Sequence, residues 1–182
     1  MKSVVAFVAA ALLGGCTVMK VAEVDPATGY FPATSKATIV TNKSIDLDSR
    51  KSLLLVPNGE FVRGQIQNMK YFDEIMNFDD LEKRVIQAGL TDKVPTIRDR
   101  IGVNNAAKHY KGFLWFRFET KGEGRIRTGQ FILTDPLTLE DYFVAETKLD
   151  PIWSGINDQN TWYPLFNAMI DYIKANSKTF RK

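Results

Sequence analysis

Gly112-Phe-Leu-Trp-Phe-Arg-Phe-Glu-Thr120, Lys121-Gly-Glu-Gly124 and Arg125-Ile-Arg-Thr-Gly-Gln-Phe-Ile-Leu-Thr134 follow one another without a break, and how they are read decides the fold. The outer two segments are rich in aromatic and β-branched residues and alternate with a period of two. The glycine-bearing tetrapeptide between them reads as a hairpin turn. Phe113, Trp115, Arg117 and Glu119 fall on one face of the first strand, and Leu114, Phe116 and Phe118 on the other. If both faces are covered, these aromatics are core; if one is open, it is an exposed apolar patch of the kind that marks a partner or lipid site. Asp135-Pro136-Leu137-Thr138 is the next turn and Leu139 to Leu149 (LEDYFVAETKL) the next strand, so an antiparallel meander of three strands is expected.

Upstream the period changes. Ser52-Leu53-Leu54-Leu55-Val56 is a short uninterrupted apolar run ending at Pro57-Asn58-Gly59, as suits a central strand buried on both faces. From Glu60 to Lys70, Phe61, Ile66 and Met69 recur at roughly helical spacing, with Gly64 weakening the helix by about 1 kcal/mol. Tyr71 to Met76 alternates in part and reads as a second strand. Asn77 to Gly89 is the clearest helix: Asn77 or Asp79 caps it, Asp79, Asp80 and Glu82 favour its positive end, Leu81, Val85 and Ile86 form the buried stripe, and Gly89 ends it. After Pro95, Thr96 is the expected N-cap of a further helix, with Asp99 three residues on and Ile97, Ile101 and Ala107 facing inward. Asn160 to Ala175 carries Phe166, Met169, Ile170 and Ile173 on one helical face, with Pro164 tolerable only in the first turn. The order β-α-β-α-α-β-β-β-α defines a single α/β (α+β) domain. Its mixed sheet should have a parallel β-α-β-α-α start, an antiparallel three-strand meander and a C-terminal helix, with helices covering at least one face.

The N-terminus is of another kind. Lys2 precedes an apolar run from Val4 to Leu13, then Gly14, Gly15 and the sole cysteine, Cys16. The run is about ten residues, against the roughly twenty needed to span a bilayer, so it reads as an export signal. Leu13-Gly14-Gly15-Cys16 resembles the lipobox of bacterial lipoproteins. That resemblance implies a cleaved signal peptide at residues 1–15 and a diacylglycerol and N-acyl lipid on Cys16, with no other cofactor. With no Asp after the cysteine, it further implies a periplasm-facing outer-membrane address in a Gram-negative host. Three acyl chains exceed the two or so that stable anchoring takes. Residues 16–49 are expected to be the lipidated N-terminus and tether, and residues 50–182 the globular domain. Pro26, Gly29 and Pro32 punctuate residues 17–35 with no sustained period. Residues 36–47 are ambiguous: Ile39 and Val40 either start a strand or pack loosely on the domain. A flexible tether of about thirty residues would span roughly 30 Å and lift the domain clear of the lipid headgroups; the alternative is that most of it packs on the domain.

With Cys16 lipidated, no thiol remains for a disulfide or a nucleophile. Without Lys2, the 24 Lys and Arg residues fall to 23 against 21 Asp and Glu, a net charge of +2, and no basic cluster marks a nucleic-acid partner. His109 is the only histidine, so neither a transition-metal site nor a triad is expected. No Gly-x-Ser-x-Gly elbow surrounds Ser154. Asp73-Glu74, Asp79-Asp80 and Glu140-Asp141 are adjacent carboxylates, the raw material of a glycan hydrolase, although helix capping and solvation are the readier explanation of them. Gly122-x-Gly124 reads as a turn, and Asp46-x-Asp48 lacks the glycine and glutamate of a calcium loop. The remaining signal is an aromatic and amide cluster containing Trp153, Asn157, Asp158, Asn160, Trp162, Tyr163 and Phe166. Such residues, together with Trp115, either form a binding surface or lock the last helix onto the sheet.

LLLVPN, YFDEI followed by an acidic helix, and FILTDPLTLEDYFVAET are similar to stretches of small proteobacterial lipoproteins without an assigned activity. They also resemble the α/β N-terminal domain of the periplasmic protein TolB and secretion-accessory lipoproteins. The resemblance implies a protein-binding role at the envelope and transfers no functional residue. The expected function is therefore non-enzymatic: an outer-membrane lipoprotein that binds an envelope protein as an assembly or secretion accessory. The alternatives are a carrier for a hydrophobic or glycan ligand in a pocket lined by Trp115, Trp153 and Trp162, or a carboxylate-based hydrolase.

Overall fold

The computed structural model describes residues 21–123, 127–149 and 158–180. Six strands form one mixed sheet: β1 (Thr38–Asn42), β2 (Ser52–Val56), β3 (Glu74–Met76), β4 (Leu114–Lys121), β5 (Arg127–Thr134) and β6 (Asp141–Leu149). Four α-helices surround it: α1 (Glu60–Asn68), α2 (Phe78–Gln87), α3 (Arg100–His109) and α4 (Tyr163–Asn176), the last preceded by a π-helical turn, Asp158–Trp162. The strand order is β1-β6-β5-β4-β2-β3. β2 runs parallel to both β3 and β4, while β4, β5 and β6 pair antiparallel, so the α/β class and the mixed sheet are as the sequence predicts. Gly122, at φ +91°, supplies the left-handed residue of the β4–β5 turn, whereas Gly124 lies outside the described residues.

β2 and its neighbours explain the layering. The β2–α1–β3 crossover moves one place along the sheet, and β3–α2–α3–β4 returns across β2. Because such crossovers are right-handed, reversing direction puts the second set of helices on the opposite face. The alternation of β2 follows suit. Leu53 and Leu55 enter a core with Ile66 of α1 and Leu165, Phe166, Met169 and Ile173 of α4. Leu54 enters a second core with Leu81 and Val85 of α2 and Val103, Ala106 and Ala107 of α3. Phe113 and Trp115 lie under α2 and α3, and Leu114, Phe116 and Phe118 under α1 and α4. Both faces of this strand are therefore covered at its apolar end. Beyond Trp115 the second face turns polar. Arg117 there binds Glu119, Asp141 (2.9 Å) and the Thr134 hydroxyl (3.2 Å), and Gln130 donates to Glu146 at 2.7 Å.

The α2 boundaries match the expected chemistry. Asn77 Oδ1 accepts from Asp80 N at 2.8 Å, Asp80 Oδ2 accepts from Asn77 N at 3.0 Å, and Gly89 follows at φ +68°. Ile86, expected inside, is 57% exposed. The start of α3 is also shifted: its N-cap is Asp99, which accepts from Gly102 N at 2.7 Å, and Thr96 only donates to Asp99. The three-residue displacement rotates the buried stripe, leaving Ile101 71% exposed while Ile97, ahead of the helix, stays buried. Gly102 permits it, since a Cβ there would collide with the Thr96 carbonyl.

The tether differs most. From Val21 onward the described chain packs on the domain, and the ambiguous segment becomes β1, antiparallel to β6. The isopropyl group of Val21 sits over Gly64 of α1, within 2.7 Å of where a Cβ would stand. Gln65, fully buried, pairs with Ala22 through both ends of its amide when oriented to satisfy them (N to Ala22 O 3.0 Å, O from Ala22 N 2.8 Å), and Asn68 donates to Ala22 O at 2.7 Å. The other end of the polypeptide is pinned by Asp48, which accepts from Ser177 Oγ (2.5 Å), Thr179 Oγ1 (2.6 Å) and Lys178 N (2.7 Å). These hydroxyl and amide donors hold the Asp48 carboxyl far below the usual carboxylate range.

Gly102→Ala is expected to cost about 2–3 kcal/mol by overpacking. Gly112→Ala, which meets nothing within 4 Å, should change stability by no more than about 0.5 kcal/mol; urea unfolding followed by circular dichroism measures both. Asp48 has a depressed folded-state pKa, so its contribution is complete above the unfolded value of about 4 and fades as pH falls through the folded value. The urea-midpoint difference between the native protein and Asp48→Asn should thus be constant from pH 7 to 5 and shrink between pH 4 and 2. A difference independent of pH would contradict this.

Candidate functional site

A groove of about 1010 Å³ lies between the sheet edge, the N-terminal segment and α4. Its helical wall is the stripe Pro164, Ala168, Asp171 and Ala175, the small alanines leaving the space open, and Ile39 of β1 lines the opposite side. The floor is Phe143 stacked on Tyr172, ring centroids 4.8 Å apart at 29°. Tyr172 is 3% exposed and donates to Lys43 O at 2.8 Å. Burial, reinforced by the nearby Tyr142, pushes its phenol well above the usual range, so the hydroxyl is a permanent donor.

The third wall is the stretch the sequence gives as a tether. Asp25-Pro-Ala-Thr-Gly-Tyr30 closes on itself through Gly29 N to Asp25 O (2.7 Å) and Asp25 N to Tyr30 O (3.0 Å), with Gly29 at φ +74°. Phe31 then drops into the core against Tyr163 (5.6 Å, 15°) and Phe166. Its backbone is gripped from both sides by Asn167, whose Oδ1 accepts from Phe31 N at 2.8 Å and whose Nδ2 donates to Phe31 O at 2.9 Å. The Tyr30 hydroxyl donates to Asp171 at 2.5 Å while Lys174 Nζ lies 3.9 Å from the ring centre. Further along, Thr34 N donates to Gln159 O at 3.1 Å and the Thr34 hydroxyl to Asn160. The wall is thus tied to α4 and the turn before it by hydrogen bonds, some to backbone and some between side chains, that span more than a hundred residues of sequence.

The residues singled out from sequence do not assemble there. Trp115 and Trp162 are 8% and 7% exposed and lie in the two different cores, on opposite faces of the sheet, so they cannot line one pocket. Tyr163, 6% exposed, backs the groove wall through Phe31. These three are core because sheet faces and α4 cover them. Trp162 packs on Phe118 (4.8 Å) and Phe61 (5.7 Å), and Arg117 stacks 5.1 Å over Trp115. Trp153 and Asn157 lie outside the described residues, Asp158 opens the π-helical turn, and Cys16 is likewise outside. Asn167, Ala168 and Asp171 were missed. Their only signal in sequence is that they interrupt the apolar face of an otherwise buried helix.

Most of the adjacent carboxylates have structural partners. Asp79 pairs with Arg98 (2.5 Å), Asp80 completes the α2 cap, Glu140 meets Lys43 (3.6 Å) and Asp141 binds Arg117 (2.9 Å). Glu74 is held by Lys111 (2.8 Å), Arg84 and Ser52 (3.2 Å). Partial burial raises its pKa, but the Lys111 bond and the two cations outweigh that and leave it below the ordinary value. His109 is exposed at the end of α3, and no group of three metal-ligating side chains occurs among the described residues. A second hollow of about 220 Å³ lies beyond the carboxyl ends of β2 and β3, where doubly wound sheets often bind ligands. Its charged pair, Asp79 and Arg98, is internally neutralised. No helix among the described residues is long and apolar enough to cross a membrane. No protein-family model matches the chain, and neither does any curated protein or solved structure.

Asn167→Ala removes both partners of the buried Phe31 backbone. At about 1–3 kcal/mol for an abandoned polar group, we expect a loss of about 2 kcal/mol and faster proteolysis between residues 25 and 37. Unchanged cleavage there would show that the aromatic contacts alone hold the wall.

Proposed function

We propose that the protein is a lipid-anchored, non-enzymatic binding protein of the cell envelope, tied to the outer membrane through Cys16. It holds an envelope protein in the groove between β1 and α4, as an assembly or secretion accessory. The observation that carries this reading is the groove itself: a large preformed concavity with an aromatic floor and polar rim, built on a rigid helix and strand, as binding sites are. The structural engagement of Glu74, Asp79, Asp80, Glu140 and Asp141 supports a binding role over a hydrolytic one. The anchor rests on the likeness of Leu13-Gly14-Gly15-Cys16 to a lipobox. The Phe143–Tyr172 floor also suits the acyl chain of a carried ligand, which sets the competing outcome of the test.

A photo-crosslinking residue placed at Lys36, on the groove, in the full-length protein in its own membranes should capture a discrete protein. The same residue at the exposed Lys108 of α3 should not. Mass spectrometry should find the mature chain starting at an acylated Cys16. Capture of lipid alone at Lys36 would favour a carrier. No adduct, or an unmodified Cys16 thiol on protein released without detergent, would overturn the binding or the anchoring half of the reading respectively.

A further inference from the structure

We infer that residues 21–37 form a detachable strap, at once the third wall of the groove and the extensible part of the anchor's leg. An occupant of the groove holds the strap down, shortens the leg and draws the domain toward the bilayer. This rests on the binding and anchoring readings and adds how the groove is regulated.

The strap is fastened differently from the chain that follows it. Phe31, 2% exposed, is its one large buried side chain. Val21 is 47% exposed, and Asp25 to Thr28, Pro32 and Thr34 to Lys36 are exposed as well. The Asp25–Tyr30 closure is internal. Among the described residues only Thr34 N, donating to Gln159 O, joins the strap's backbone to the backbone of another element. Side chains supply the other attachments: Gln65 and Asn68 hold Ala22, Asn167 holds Phe31, and Asp171 accepts from Tyr30. From Thr38 onward the chain is fixed by a ladder. β1 pairs with β6, Ile45 N donates to Asn176 Oδ1 at 3.0 Å, and the fully buried Leu47 donates through its N–H to Asn176 O at 3.2 Å. Peeling from the amino end therefore uncovers one phenyl ring and stops at β1. An opening that exposes so little apolar surface costs much less than global unfolding.

The same opening changes the leg. With the strap docked, five peptide steps separate Cys16 from Val21; with it free, twenty-one steps separate Cys16 from Ala37. At about 5–6 Å times the square root of the number of residues, the root-mean-square span grows from about 12 Å to about 25 Å. Tyr30, Thr34 and Lys36 line the groove from the strap, facing Ala168 and Ala175 of α4. An occupant touching both walls binds the docked state alone, and a ligand shifts an equilibrium toward the state it prefers. Filling the groove therefore shortens the leg.

The test uses the full-length acylated chain. In micelles, the amides of Asp25, Gly29, Phe31 and Thr34 should exchange at least tenfold faster than those of Leu53 to Leu55. Low urea should accelerate them much less, because local opening exposes little surface. Phe31→Asp, which would bury an unpaired carboxylate in the docked state, should free the strap while cooperative unfolding of the remainder persists; Phe31→Leu should leave it docked. In vesicles, energy transfer from a fluorophore at Lys108→Cys to labelled lipid should fall with Phe31→Asp and not with Phe31→Leu. A photo-crosslinking residue at Ala175 should capture its protein with Phe31→Leu and lose it with Phe31→Asp. Strap and β2 amides exchanging in step, loss of cooperative folding in Phe31→Asp, or unchanged energy transfer would each overturn the strap, and capture that survives Phe31→Asp would overturn its coupling to the groove. Failure of the underlying readings looks different: without an anchor the native chain does not stay on vesicles, and without a partner Ala175 captures nothing even when Phe31 is intact, while strap exchange is the same in both cases.

Discussion

Everything in this fold depends on β2 being buried on both sides. Three consecutive leucines, Leu53, Leu54 and Leu55, are all completely shielded from water, and neighbours on a strand point to opposite faces. One apolar layer cannot satisfy them, so helices must cover the sheet above and below. The reversal of direction between the two crossovers supplies that cover. Fully burying a leucine contributes about 1.5–3 kcal/mol, so this strand is a large share of what holds the layers together. The antiparallel strands beyond it have a mixed second face, where Ile132 and Val144 are still buried beside polar Arg117 and Gln130. On β4 that face is apolar at Trp115 and polar from Arg117 onward.

This division marks what was legible from sequence. Elements whose evidence is periodic are all present in the expected order: the meander, the triple-leucine strand, the capped helix after Asn77 and the final helix with Pro164 in its first turn. Errors of phase come from local competition. At α3, Thr96 and Asp99 both had the chemistry of an N-cap. Asp99 won because Gly102 allows the helix to press against the Thr96 carbonyl, a tertiary contact with no periodic signature. The same start point turned Ile101 outward.

The N-terminal segment was illegible for a different reason. Its order comes from a few long-range anchors: Ala22 on Gln65 and Asn68, Phe31 on Asn167, Thr34 on the turn before α4. Each is a hydrogen bond to a residue far away in sequence, from side chain to backbone at Ala22 and Phe31 and between backbones at Thr34, and between them the composition is that of a linker. The groove is made by this segment, so it was hidden for the same reason. The tryptophans drew attention because large aromatics mark both interfaces and cores. The covering of both sheet faces made Trp115 and Trp162 core.

The early docking of the chain also changes how the proposed anchor would act. A tether of about thirty free residues would hold the domain roughly 30 Å from the bilayer on average. With Val21 seated on Gly64, only the five peptide steps from Cys16 to Val21 remain, and fully extended they reach at most about 18 Å. A lipidated Cys16 would therefore keep the middle of α1, around Gly64, close to the headgroups and restrict rotation of the domain. Asp25, at the start of the groove wall, follows Val21 by four residues, so the groove too would open near the membrane surface. Partners reaching it would be those already confined to that layer. Confinement raises effective concentration without any new contact, so even contacts too weak to hold a partner in free solution would hold one at the groove.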